Sequence, residues 1–349
     1  MVNNFHIGSY DIGIDPCYII AEAGSNHDQN KPRAFEMIRY AADAGANAVK
    51  FQLFKAERIA ANMDIPEVRL SAQFTKYGET AYDLYKHMEL PDSWLQELKA
   101  CCTEHGVDFL ATPFDEVSAD KLAETCVSAI KIASFEITHI PLLKYIGKMG
   151  LPVILSTGMA NTGEIEEAIN AVCSEGENRI CLLHCGIDYP TPLASVNLRC
   201  LKTLSESFDY PVGYSDHTEG AIVPIAAVAV GAVILEKHIT LEGGKSPDHD
   251  FAINVTEFAD MVKAVRQCEL ALGSPVKKVE DNEKEHLYRG RRSLFVVKDV
   301  KKGEIFTREN LAVLRPGIGL PPVLYDEVLG RKSVGNIEAP AILKEGDWS

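Results

Sequence analysis

The chain has 349 residues, 46% of them hydrophobic and 24% charged, with a formal net charge of −15. That length can bury a large core in one big domain or two, and the negative charge argues against general nucleic-acid or anionic-membrane binding. No apolar run approaches the roughly 18 residues of a membrane span. A local cluster of lysines can still hold a small anion against this global field. The N-terminal stretch MVNNFHIGSYDIG lacks a basic start followed by an apolar core, so no secretory signal is expected. Nine cysteines, with Cys17, Cys181 and Cys185 inside apolar runs, read as small hydrophobes in a reducing, cytoplasmic setting rather than as a disulfide framework.

Eight short apolar runs alternate with amphipathic segments along the chain. The runs cover residues 17–24, 46–53, 107–113, 129–134, 152–158, 179–186, 211–218 and 232–239. They are near-continuously apolar, as parallel strands covered on both faces must be. Helical periodicity covers 32–44, 92–105, 116–125, 141–149, 161–174, 197–208, 220–230 and 256–272. Start signals support several of these, such as Asn30 and Lys31 before Pro32, and Thr162 followed by Glu164. Repeated β-α units predict an α/β protein with a (β/α)8 TIM barrel over residues 1–272. A doubly wound sheet fits less well, because there are eight units and no Gly-rich dinucleotide loop. The segment 54–90, with Tyr77, Tyr82 and Tyr85, is too long for a simple loop and predicts an insertion at the rim. Residues 273–290, containing KKVEDNEKEH, read as a charged linker. The tail 291–349 has short alternating strands (SLFVVKDV), turn signals (KKGE) and a Gly/Pro-rich loop (RPGIGLPP), which predict a small β-rich domain.

A barrel of this kind carries its site at the C-terminal ends of its strands. The first run ends in Glu22, Asn26 and His27; the second in Lys50 and Gln52; the third in Thr112. The fourth gives Lys131, Ser134 and Glu136, and the fifth Ser156 and Thr157. The sixth gives His184, Asp188 and Tyr189, and the seventh Tyr214, Ser215, Asp216 and His217. The eighth gives Glu236, Lys237 and His238, with Asp248 and His249 in the loop beyond. Polar groups at the same end of every strand are costly to bury without a task.

These groups fall into chemical sets. Lys50 and Lys131, with Thr112, Ser134, Ser156 and Ser215, make a cationic, hydroxyl-rich pocket suited to phosphate plus carboxylate. A single strand lysine is as readily a rim salt bridge, but two on apolar strands are costly unless paired with something. Strand-end serines and threonines also serve as helix caps. His217 and His238, at the ends of adjacent runs, suit a first-row divalent metal with open positions for water and substrate oxygens. Glu22 and Glu136 are candidates for proton transfer or substrate anchoring, with pairing to Lys50, Lys131 or Lys237 as the structural alternative. Lys237 has the chemistry of a Schiff-base lysine, although its neighbours Glu236 and His238 favour an ion pair.

At these residues the sequence resembles the sialic acid synthase family, also called N-acetylneuraminate or nonulosonate synthases. The matching pieces are IIAEAGSNH, AVKFQ, ATPF, AIKIASFE, STGMA, DYPTP, GYSDHT, EKHITL and SPDHDF. The stretch RRSLFVVKDVKKGEIFTRENLAVLRPGIGL resembles the antifreeze-like (SAF) domain of the same family. The resemblance implies that phosphoenolpyruvate condenses with the open-chain aldehyde of an N-acyl hexosamine, with C–O cleavage and release of phosphate. It implies that His217 and His238 bind a divalent metal, Mn2+ first, with Mg2+ or Co2+ as alternatives. It assigns Lys50, Thr112, Lys131, Ser134, Ser156 and Ser215 to phosphoenolpyruvate, and Glu22 and Glu136 to protons and sugar hydroxyls. Gln52, Tyr189 and Asp248 would line the sugar site. Arg315 would reach the N-acyl group from the partner subunit of a domain-swapped homodimer.

Three positions depart from the pattern of N-acetylneuraminate producers. Their Gly-Ser-Gly-Glu block is Ala133-Ser134-Phe135-Glu136 here, Ile187 stands where they carry Asn, and the SPDHDF loop differs. The SFE block is more similar to the pseudaminic acid and spore-coat branches. Bulk at Phe135 and the missing amide at Ile187 would suit a less hydroxylated, deoxy sugar, so the acceptor expected is N-acetylmannosamine or a deoxy di-N-acetyl hexose. Two other readings compete: a Schiff-base pyruvate aldolase on the same barrel, using Lys131 or Lys237, and a glycan-binding protein built on the antifreeze-like tail.

Overall fold

The computed structural model of the chain describes residues 4–177 and 179–349. Eight parallel strands form the centre: β1 (Tyr18–Gly24), β2 (Ala48–Leu53), β3 (Asp108–Pro113), β4 (Ile130–Ile132), β5 (Val153–Ser156), β6 (Ile180–Cys185), β7 (Val212–Asp216) and β8 (Ile234–Thr240). Each pairs with the next, and β8 pairs with both β7 and β1, so the sheet closes into a barrel. The strands fall on the eight apolar runs. Outer helices follow as α1 (Lys31–Asp43), α2 (Leu95–Glu104), α3 (Glu116–Glu124), α4 (Ile140–Gly147), α5 (Thr162–Cys173), α6 (Cys200–Phe208), α7 (Ile222–Ala229) and α8 (Val255–Leu272). Their starts are chemically marked. Asn30 accepts from Arg33 N at α1, and Asn161 with Glu164, and Asn254 with Glu257, form capping boxes at α5 and α8.

The strand period of two sorts the barrel's residues. Outward residues such as Val49, Phe51, Ile132, Leu155, Leu182 and Leu235 join the helices in the main core. Inward residues nearer the strand starts, including Tyr18, Ile20, Ala48, Leu110, Ile154, Leu183 and Ile234, form a second apolar cluster. Phe5, Ile7 and Ile12 belong to that cluster. They come from a hairpin, Phe5–Ile7 paired with Tyr10–Ile12, which has no counterpart in the sequence reading because its strands are too short to display a period. Above this layer the same inward period turns polar. Glu22 sits opposite Lys50 on β2 and opposite His238 on β8, and Glu236 sits opposite Ser215 on β7.

One polar pair faces outward instead. Lys237 and Asp216 are in register on β8 and β7, their charges are 2.6 Å apart, and both are buried. Thr218 completes the knot: its N–H and hydroxyl donate to Asp216 at 3.1 and 2.8 Å, and its carbonyl accepts from Lys237. Lys237 therefore points away from the barrel interior, which corrects its candidacy as a Schiff-base lysine. Asp216→Ala strands a buried ammonium and is expected to lower the unfolding free energy by about 3–5 kcal/mol, whereas the Asp216→Leu/Lys237→Met pair recovers most of it. Urea titration of the three proteins checks this; a loss below about 1 kcal/mol for Asp216→Ala would overturn the assignment.

The segment between Phe54 and Leu90 holds two short helices, Ala56–Ile59 and Ala81–Met88, with 3-10 segments at Pro66–Val68 and Ala72–Tyr77. Two compact units divide the chain, Met1–Gly273 and Ser274–Ser349. In the second, Ser293–Val296 pairs antiparallel with Leu311–Leu314 and Ala341–Ile342 over a core of Leu294, Val296, Phe306, Leu311, Val328 and Leu343. The stretch from Ser274, expected as a linker, clusters with this unit and contains the helix Lys284–Gly290. Gly317 N–H donates to Tyr288 O at 2.7 Å, and Arg315 Nε to Gly290 O at 2.7 Å, tying that helix to the RPGIGL loop. Among the described residues no helix is long and apolar enough to cross a membrane.

Candidate active site

The cavity at the C-terminal mouth of the barrel is lined by Glu22, Lys50, Gln52, Thr112, Lys131, Ser134, Ser156, Tyr189, Ser215, His217 and His238. Eleven of the residues given a site role from the sequence therefore meet in one place. Phe114, Phe135, Cys185 and Glu236 line it as well. Glu236 was read as a strand-end group but given no role; it sits in the middle of the cations. Its Oε1 lies 3.6 Å from Lys50 Nζ and accepts from Ser215 Oγ at 3.2 Å, and its Oε2 lies 3.9 Å from Lys131 Nζ with no hydrogen-bond donor. The signal for it was the inward period shared with His238, two residues on.

Lys50 Nζ sits 2.8 Å from Glu22 Oε2 and donates to Thr112 Oγ1 at 3.1 Å. Lys131 Nζ donates to Ser156 Oγ at 2.6 Å and to the Ile132 carbonyl at 3.0 Å. Burial works against the charge on both lysines. At Lys50 the two carboxylates outweigh burial and hold the ammonium above its ordinary pKa, whereas at Lys131 burial wins and the value falls. Glu236 answers them: burial disfavours its charge, but Lys131 and Lys50 keep it ionised, below its ordinary value. Glu22 has Lys50 on one side and Glu236 on the other, and burial pushes its carboxyl up to about 7. A group titrating near neutrality can both give and take a proton. Gln52 Nε2 donates to the other Glu22 oxygen at 3.2 Å and fixes its orientation.

The two histidines stand beside this charge cluster, ring centres 5.3 Å apart and nearly edge to face. Burial pushes His217 down to about 4 and His238 well below its ordinary value, so both imidazoles are neutral and carry a free lone pair near pH 7. His217 Nδ1 pairs with the Gly186 carbonyl at 2.7 Å, which leaves Nε2 for a ligand. His238 Nδ1 is buried with no hydrogen-bond partner and lies 3.9 Å from Asp248 Oδ2. Two neutral imidazoles with an orphaned nitrogen and nearby carboxylates are the donor set of a first-row divalent metal. Among the described residues no three His, Cys, Asp or Glu side chains converge on one point. The residues therefore fit an open site with most positions left to water and substrate oxygens.

Aromatic rings cover this side of the cavity. Tyr189 packs at a tilt against His217 at 4.2 Å and Phe251 at 4.7 Å, and Phe251 meets His238 at 4.9 Å. Ser134 Oγ lies 2.9 Å from Cys185 Sγ and accepts from Gly158 N–H at 3.1 Å. A Cβ on Gly158 would stand within 2.9 Å of Ser134, Cys185 and Ile187. Ile187 therefore lies against Gly158, beside the Ser134–Cys185 contact and outside the cavity lining.

Three expected residues do not line the cavity. Asp248 is buried beside it, next to His238. Glu136 is half-buried one residue beyond Phe135, its carboxyl raised by burial and eased by His139. Arg315 belongs to the second unit and is exposed there. Of the competing lysines, Lys131 alone reaches the cavity.

Residues 37–277 match the NeuB family, and residues 291–347 match the SAF domain. The chain is 40% identical over 330 residues to the N,N'-diacetyllegionaminic acid synthase of Campylobacter jejuni, covering 94% of this chain and 98% of that one. It is 35% identical over 333 residues to a pseudaminic acid synthase of Campylobacter jejuni, covering 95% and 96%. The crystal structure of the spore coat polysaccharide biosynthesis protein spsE from Bacillus subtilis is similar with a TM-score of 0.67 at 37% identity, covering 99% of both chains. With a barrel whose polar mouth is intact and relatives aligned along nearly its whole length, this chain belongs to the NeuB family of nonulosonic acid synthases, with a SAF domain after the barrel.

Proposed function

We propose that the protein condenses phosphoenolpyruvate with the open-chain aldehyde of an N-acyl hexosamine, adds water and releases phosphate, giving a nine-carbon 2-keto acid. The observation that carries this reading is the convergence of Lys50 and Lys131 with Thr112, Ser156 and Ser215, beside two neutral imidazoles, at one mouth of the barrel. Two ammonium groups and several hydroxyls match an anion with a phosphate at one end and a carboxylate at the other. They are held by Glu22 and Glu236 until the substrate's own anions displace those contacts.

In this reading C3 of phosphoenolpyruvate attacks the aldehyde carbon, and Glu22 delivers a proton to the oxygen that becomes a hydroxyl. Water adds at C2, with Glu236 Oε2, which has no donor of its own, receiving the water's proton. The C2 hydroxyl then becomes the ketone carbonyl as the C2–O bond to phosphate breaks, its proton leaving with the phosphate, while Lys50 and Lys131 hold the departing charge. A divalent ion on His217 and His238, Mn2+ first among candidates, would supply Lewis-acid polarisation of the aldehyde oxygen. Gln52 orients Glu22 on the acceptor side, and Glu136 and Asp248 stand at the edges for sugar hydroxyls.

A di-N-acetyl, deoxy acceptor is favoured over N-acetylmannosamine. Phe135 and Tyr189 line the cavity, Ile187 lies against Gly158 beside Ser134, and the Campylobacter jejuni relative is named for an N,N'-diacetyl product. The deciding experiment measures phosphate release from phosphoenolpyruvate with a panel of N-acyl hexosamines. A deoxy di-N-acetyl hexose should give kcat/KM at least tenfold above N-acetylmannosamine. Equal turnover would remove the sugar assignment. Failure of every acceptor, with borohydride trapping of pyruvate on Lys131, would replace the reaction by a Schiff-base aldolase.

Arg315 enters from the family resemblance, which carries a homodimer with it. Arg315→Ala is expected to raise the acceptor KM by roughly ten- to a hundredfold, the loss of about 1.5–3 kcal/mol for a charge-assisted contact. An unchanged acceptor KM would take Arg315 out of the site.

A further inference from the structure

We propose that Asp28 and Arg33 are positioning residues that clasp the loop 241–251 to the start of the barrel and so set where Asp248 stands beside His238. The proposal rests on the reading that this loop serves the acceptor sugar. The loop leaves β8 through Leu241 and Glu242, runs through Gly243 and Gly244, makes a short turn at Pro247–Asp250, and returns at Ile253–Asn254. Two adjacent glycines and a single turn give such a segment little to order it by itself.

Within it His249 N–H donates to Ser246 O at 3.1 Å, and Thr240 Oγ1 at the end of β8 meets His249 Nδ1 at 2.6 Å. Its ties to the start of the barrel come from the loop after β1 and the first turn of α1. Arg33 reaches across with all three nitrogens. Nη2 donates to Leu241 O at 2.6 Å and Nη1 to Glu242 O at 3.0 Å, while Nε donates to Asn26 O at 2.8 Å. A planar fork of five donors is the side chain suited to spanning two backbones in this way. Arg33 Nε also lies 3.4 Å from Asp28 Oδ2. The Asp28 carboxylate in turn accepts from Lys245 N–H at 3.1 Å on both oxygens and from Ser246 N–H at 2.8 Å. Asp28 holds a left-handed backbone, φ +51°, and so does Gln29 at +52°. That conformation turns the carboxylate back toward the neighbouring loop, and Asp tolerates it better than most side chains.

The next link reaches the site. Ser246, anchored by Asp28, shares a 2.5 Å hydroxyl contact with Ser25 and accepts from Asp248 N–H at 3.2 Å. Ser25 N–H and Oγ donate to Asp248 Oδ2 at 3.2 and 3.0 Å. The carboxylate fits because Gly24 lies beneath it: at φ +50°, a Cβ there would stand 2.6 Å from Asp248 Oδ2. Tyr77 of the rim insertion adds an outer strut to Lys245 O at 2.5 Å. Neither Asp28 nor Arg33 lines the cavity, so their influence passes through the loop.

The test uses the full-length protein with Asp28→Gly, which removes the carboxylate while keeping a residue at ease with positive φ, and with Arg33→Met. Amide hydrogen exchange over residues 241–251 is expected to speed up at least tenfold in both, with exchange in the β2–β6 strands unchanged. In kinetics the acceptor KM should rise at least tenfold while the phosphoenolpyruvate KM stays within twofold, and Asp28→Asn should recover most of the loss. Unchanged exchange in 241–251 would overturn the clasp. Faster exchange with an unchanged acceptor KM, or both KM values rising together, would overturn its role in positioning. If Asp28→Gly does not fold, Arg33→Met carries the same test. A wild-type protein inactive with every acceptor would defeat the proposed reaction, while the exchange result still decides the clasp.

Discussion

Lys131→Met is expected to lower kcat/KM for phosphoenolpyruvate by about two to four orders of magnitude, with the fold intact. Lys131 is buried, and in the free protein it is held only by Ser156, the Ile132 carbonyl and a long contact to Glu236. Removing one member of a buried, hydrogen-bonded charge pair costs on the order of 3–5 kcal/mol, and each 1.36 kcal/mol is tenfold in rate. The substitution also removes the cation that does most to keep Glu236 ionised. The Glu236 pKa should therefore rise, and the descending acid limb of the pH profile should move to higher pH. Methionine matches the volume of the lysine stem, and the position is an inward strand residue, so packing losses stay small. Initial rates at varied phosphoenolpyruvate, with thermal unfolding as a control, check the result. A variant within tenfold of wild type would place the phosphate elsewhere. Loss of borohydride trapping in the same variant would instead support the Schiff-base reading.

The barrel was legible because its signal is repeated. Eight apolar runs with intervening helical periods leave few architectures, and each run needs to be placed only to within a few residues. The site was legible for a related reason: a strand whose apolar pattern ends in Lys, His or Ser must put those groups at a rim, and all rims of one barrel share an end. Side-chain parity was harder to read. Lys237 and His238 are adjacent in sequence, yet one faces the helices with Asp216 and the other faces the cavity. Glu236 shares the parity of His238, which is why it meets both lysines while Glu136, on a turn after β4, stands outside the lining. Contacts made by loops had no sequence signal. The clasp from Asp28 to Ser246 spans 218 residues through a carboxylate and backbone N–H groups, and no periodicity encodes such a bond. The N-terminal hairpin escaped for want of length.

On the proposed reaction, chelating the metal that His217 and His238 would hold, or removing either histidine, should have the largest effect of all. Chelation of the wild-type protein with EDTA is expected to reduce phosphate release by at least about a thousandfold, restored by Mn2+ or Co2+. His217→Ala and His238→Ala should show the same loss without restoration. The expectation rests on the state of the rings. Both are buried and neutral near pH 7, His217 by a shift to about 4, so each presents a lone pair with no proton to displace. With only two imidazoles and no third converging side chain among the described residues, the ion would keep several positions for oxygen ligands. The loss of one imidazole then removes half of the protein's nitrogen donors, which weakens binding far more than trimming a larger cage would. Asp248→Asn separates the histidines' task from the loop's. It retains an acceptor beside Ser25 but removes a charge 3.9 Å from His238, and should weaken the metal by tenfold or less while raising the acceptor KM. Titration calorimetry with Mn2+ on the wild type and the three variants reads the affinities directly. Full activity after exhaustive chelation, or equal Mn2+ affinity in His217→Ala and the wild type, would show that the histidines pack against Tyr189 and Phe251 for structural reasons alone.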